Sequence, residues 1–87
     1  MRNEHAWTER TADGLKREIR AVKFGGKWTL QAKVKGEAAW TYYDDPPLAD
    51  LETLRDILER KYQRRRASFE DVRSVEQLIQ ASTERGQ

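Results

Sequence analysis

The side chains with most to offer chemically are cations. Lys16, Arg20, Lys27 and Lys33 recur along one segment that also contains Gln31 and leads to Trp40, and a second group, Arg64, Arg65 and Arg66, closes a basic run that starts at Arg60 and Lys61 and encloses Tyr62. Ammonium and guanidinium groups neutralise phosphates, the guanidinium fork matches two phosphate oxygens at once, and a glutamine amide can address a base edge. Catalysis has far less to work with. The chain has no cysteine and one histidine, His5, placed in a terminus without apolar period and without an evident partner, so neither thiol chemistry nor a histidine-based acid–base pair is expected. Gly25-Gly26-Lys27 lacks the glycine spacing of a phosphate loop, and Trp28 stands where Ser or Thr would meet magnesium. Asp44, Asp45 and Asp50 lie where a helix begins and complement the positive end of its dipole, which accounts for them without a metal. The expectation is a protein that is not an enzyme and uses no cofactor or metal.

Length and composition narrow the field further. With 87 residues, the chain can close one small core, and a two-domain enzyme is excluded. Hydrophobic and charged residues each make up 37%, yet the apolar residues are periodic, so a folded rather than disordered chain is expected. No apolar run reaches the ~18 residues of a membrane span, and Met1 is followed by polar residues, giving a cytoplasmic reading with no membrane partner. The net charge of +2 conceals blocks. Residues 14–36 hold seven basic residues against Glu18 alone, residues 37–59 seven acidic residues against Arg55 alone, and residues 60–66 are basic again. Such blocks either neutralise one another or form separate patches.

Residues 1–13 read as a flexible N-terminal arm. From residue 15 to 35 the pattern is a β-hairpin turning at Gly25-Gly26, a dipeptide suited to positive φ, with Trp28, Leu30, Ala32 and Val34 alternating with Lys27, Thr29, Gln31, Lys33 and Lys35. A two-residue loop there sets Ala21 opposite Leu30, Ile19 opposite Ala32 and Glu18 opposite Lys33. The outer face is then basic, and Val22 and Phe24 either bulge inward or add exposed apolar area to it. A third strand spans residues 38–43, with two registers open. A two-residue loop puts Trp40 and Tyr42 on the basic face. A three-residue loop with a bulge at Gly36 puts them in the core, the placement favoured by the area these rings can bury.

Asp44-Asp45-Pro46-Pro47 ends the strand and starts a helix whose stripe is Leu48, Leu51, Leu54, Leu58 and Tyr62. A second helix opens at Ser68 with a capping box completed by Asp71 and continues on Val72, Val75, Leu78 and Ile79, leaving residues 83–87 as a frayed tail. The fold class expected is α+β, a three-stranded antiparallel meander followed by two helices (β-β-β-α-α) packed on one sheet face, as a single domain over residues 14–82.

The stretch from Gly26 through Lys27, Trp28, Thr29, Leu30, Gln31, Ala32, Lys33 and Val34, followed by Trp40-Thr41-Tyr42-Tyr43 and a helix, resembles the three-strands-plus-helix DNA-binding domains of plant ethylene-response factors and phage-integrase arm-binding domains. The resemblance covers roughly residues 20–58. It implies DNA contact through alternate residues of the strand after the turn, here Gln31 and Lys33, with Trp40 matching a tryptophan of the next strand, and it requires Trp40 to face outward. The chain departs from that pattern in its less arginine-rich first strand, its Leu-rich helix and its second helix. Two functions follow as expectations. One is a nucleic-acid-binding module using Lys16, Arg20, Lys27, Gln31, Lys33 and Trp40, flanked by Arg64, Arg65 and Arg66. The other is a protein-interaction or homodimerisation module using a sheet edge or the second helix.

Overall fold

Gly25 and Gly26 adopt φ of 59° and 79°, the pair of positive values that a type I′ hairpin turn needs, and the strands on either side follow its twist. In the computed structural model, which describes residues 3–85, these strands are β2 (Lys16–Phe24) and β3 (Lys27–Val34). They pair antiparallel with Ala21 opposite Leu30, Ile19 opposite Ala32 and Glu18 opposite Lys33, the register expected from the apolar alternation. Pairing continues without a bulge to Phe24 opposite Lys27, so Phe24 stays on the outer face and is 85% exposed.

The N-terminal segment is a strand, not an arm. β1 (Asn3–Arg10) runs antiparallel to β2, with His5 opposite Ala21 and Trp7 opposite Ile19. Its weak apolar pattern concealed it, because only two of its positions on the apolar face carry rings and Glu9 occupies a third. His5 is accordingly buried rather than solvated, its ring 5.8 Å from that of Trp28. Glu9 is balanced from the neighbouring strand by Arg17, whose guanidinium lies 2.6 Å from Glu9 Oε1 and donates a 2.9 Å hydrogen bond to the Tyr43 hydroxyl. With β4 (Thr41–Tyr43) pairing β3, the sheet has four antiparallel strands in sequence order where the meander had been expected to have three. Ile19, Ala21, Trp28, Leu30 and Ala32 are buried on its apolar face.

Two helices follow, α1 (Leu48–Gln63) and α2 (Phe69–Arg85). Leu51, Leu54 and Leu58 of the α1 stripe are buried, whereas its ends, Leu48 and Tyr62, are exposed. Val72 and Val75 are the buried apolar residues among those described in α2, and Asp71 beside them is buried as well. The Ser68 hydroxyl caps α2 by accepting from the Asp71 amide at 3.1 Å, and the helix persists to Arg85, past the point where fraying was expected; residues 86 and 87 lie outside the described residues. By compactness the chain divides between Asp44 and Asp45 into a sheet unit and a helical unit.

α1 ends in a Schellman motif. The Arg66 amide donates to the Lys61 carbonyl at 2.6 Å and the Arg65 amide to the Tyr62 carbonyl at 2.9 Å, the paired bonds that close a helix around a left-handed residue. That residue is Arg65, at φ 61°, where glycine is usual.

Candidate nucleic-acid interface

Strand alternation places Lys16, Glu18, Arg20, Val22 and Phe24 of β2 on the face opposite the apolar one, together with Lys27, Thr29, Gln31 and Lys33 of β3. β1 extends that face with Glu4, Ala6, Thr8 and Arg10. The residue that decides the face is Tyr42. It pairs with Gln31, so the row across the sheet reads Ala6, Arg20, Gln31, Tyr42, and the Tyr42 side chain is 67% exposed. This register overturns the core placement favoured for Trp40 and Tyr42. Pairing of β3 with β4 begins only at Ala32 opposite Thr41, and residues 35–40 form the connection. The turn at Val34 to Glu37 is closed by the Glu37 amide on the Val34 carbonyl at 3.0 Å and by the Val34 amide on Glu37 Oε1 at 2.7 Å, with Gly36 at φ 100°. Gly36 therefore serves a turn and supplies no bulge, so nothing shifts the following strand by the one residue that would have sent its aromatics inward.

Trp40 belongs to no strand, yet it is held on the polar face. The Arg20 guanidinium stacks over its ring at 4.9 Å from the centroid, a cation–π contact worth about 0.5–2 kcal/mol depending on its exposure to water. Trp40 separates two shallow clefts. One, of about 330 Å³, is bounded by Ala6, Thr8, Glu18 and Arg20; the other, of about 360 Å³, by Lys16, Glu18, Lys33, Lys35 and Glu37. Glu18 engages Lys16 at 3.8 Å, and both side chains are about half exposed, so this pair contributes little to stability. Lys27, Lys33 and Lys35 enter no ion pair among the described residues. Their charge is available to an anion.

The sheet thus gathers Lys16, Arg20, Lys27, Gln31, Lys33 and Trp40 on one face of one unit. Arg64, Arg65 and Arg66 belong to the helical unit, exposed at the C-terminal end of α1, where their backbones close the helix and their charge complements its dipole. The sequence placed Lys35 on the basic face but pointed to neither Tyr42 nor the β1 residues as part of the site. Tyr42 was recoverable only through the register, and β1 only through its alternation of His5 and Trp7.

Among the described residues, no group of three or more His, Cys, Asp or Glu side chains is arranged to hold a metal ion, and no helix is long and apolar enough to cross a membrane. No protein-family model matches the chain, and comparison with curated proteins and with solved structures returns no match.

Proposed function

We propose that this protein is a small nucleic-acid-binding module whose contact surface is the polar face of its sheet. The observation that carries the reading is the outward register of β4, which adds Tyr42 and the Arg20-supported Trp40 to a face already bearing Lys16, Lys27, Lys33 and Gln31. Cations for phosphates and planar groups for bases then share one rigid surface, the division of labour by which proteins hold and read nucleic acids. The same register is the one that the resemblance to three-stranded DNA-binding domains requires. In this reading Lys16, Lys27 and Lys33 neutralise phosphates, Arg20 does so while bracing Trp40, and Gln31 reaches a base.

The test is an amide NMR titration of the full chain with a mixed-sequence oligonucleotide at low and moderate salt. Shifts concentrated on Arg20, Gln31, Lys33 and Tyr42 that fade as salt rises support the proposal. With about four phosphate contacts, log affinity against log salt should have a slope of roughly −2.8 on a single strand and −3.6 on a duplex. An unmoved spectrum would discard it. If molecular mass then rose with concentration, self-association through the β1 edge of the sheet would take its place.

A further inference from the structure

We infer that the nucleic acid this face accepts is single-stranded, with bases stacking on Tyr42 and Trp40; this rests on the function proposed above and specifies its substrate. The reason lies in which surfaces the two forms of nucleic acid offer. A duplex presents phosphates and groove edges and hides the faces of its bases in the stack, so an exposed ring on the binding surface finds little to lie against. A single strand exposes base faces, and stacking on an aromatic ring is worth about 1–3 kcal/mol per base.

The sheet carries such rings without an evident structural need for them. Tyr42 is 67% exposed, and it stands beside Gln31 on the polar face of the sheet. A tyrosine in that position loses burial that the apolar face could have given it, and it flanks the row that continues to Arg20. Trp40 is backed by the Arg20 guanidinium at 4.9 Å, a support that orients the ring between the two clefts. Phe24, 85% exposed, lies directly opposite Lys27 beside the hairpin turn and repeats the pairing of a ring with a cation at the far end of the face. Arg20, Lys27, Lys33 and Lys35 interleave with these rings and supply the charge that follows a phosphate backbone. The Gln31 amide, between Arg20 and Tyr42, can both donate to and accept from the Watson–Crick edge of a base stacked on Tyr42, an edge that a duplex keeps paired.

The experiment compares fluorescence-anisotropy affinities of the full chain for a labelled mixed-sequence single strand of ~12 nucleotides, as DNA and as RNA, and for the corresponding DNA duplex. The expected result is at least about tenfold tighter binding of a single strand than of the duplex, with quenching of tryptophan fluorescence on binding. Tyr42→Ala should weaken single-strand binding about tenfold and leave duplex affinity within about twofold, while Tyr42→Phe, which keeps the ring, should retain single-strand affinity. Lys33→Ala should weaken every arm that binds. Duplex binding as tight as or tighter than either single strand, or single-strand binding indifferent to Tyr42→Ala, would overturn this inference and leave the nucleic-acid module standing. Absence of binding in all three arms would overturn both. The tighter of the DNA and RNA arms identifies the sugar.

Discussion

The sheet unit and the helical unit each carry a basic cluster and each contain a sharp reversal of the chain, and they solve both problems differently. Among the described residues of the sheet unit, positive φ falls only on glycines, Gly14, Gly25, Gly26 and Gly36, and the cations stand at alternate positions of paired strands. In the helical unit the left-handed position is occupied by Arg65, inside the basic cluster itself. The lesson concerns what each cluster is attached to. A strand ladder fixes the spacing of Lys16, Arg20, Lys27 and Lys33 and brings aromatic rings among them, whereas Arg64, Arg65 and Arg66 close a helix and meet its dipole, a structural duty sufficient to explain them. Equal charge density therefore does not mean equal aptitude for reading a ligand.

The largest effects should come from the buried residues, where the two units ought to behave alike. Leu30 and Leu54 are both fully buried, and Leu30→Ala or Leu54→Ala should each cost about 3 kcal/mol in denaturant unfolding monitored by circular dichroism. A loss below about 1 kcal/mol for either would mean that its unit is not held by that packing.

The reversals should then separate the units by sign. At Gly26 an added Cβ meets open space, so Gly26→Ala pays only for the left-handed backbone and should destabilise by about 1 kcal/mol. Arg65→Gly relieves the same conformation and should stabilise by about 0.5–1 kcal/mol in thermal unfolding. Should both changes destabilise, Arg65 must make contacts that outweigh its backbone strain.

The binding comparison is sharper. Lys33→Ala should reduce affinity for an oligonucleotide about fivefold and flatten the salt slope by about one, while Arg66→Ala should change affinity less than about twofold. Equal losses from the two variants in an anisotropy titration would erase the distinction between the clusters.

The smallest effect probes the sheet unit's own defect. The Trp7 indole Nε1 is buried and has no hydrogen-bond partner among the described residues, so Trp7→Phe removes an unsatisfied donor along with some ring area. Its net cost should stay within about 1 kcal/mol by chemical denaturation, well below that of Leu30→Ala.

Much of this architecture was legible in the chain. Gly25-Gly26 between alternating segments determined the central hairpin and its register, because a two-residue turn leaves strand pairing no freedom and the alternation leaves only one face to bury. Leu51, Leu54 and Leu58 determined α1, and Ser68 the start of α2, since helical period and a capping hydroxyl act over a few residues. The basic character of the outer face followed from the same local alternation.

What only the tertiary structure decided is everything that depends on a neighbour distant in sequence. β1 has too little apolar period to announce itself, and becomes a strand because β2 offers it a ladder and Arg17 offers Glu9 a counter-charge. His5 is buried for the same reason, with Trp28 as its companion. The direction of Trp40 and Tyr42 turned on a single residue of register after a six-residue connection. Local propensity is nearly blind to such a choice, since the two faces differ by one step along the strand. Pairing with β3 and the Arg20 guanidinium resolve it, and with it the chemistry of the candidate site.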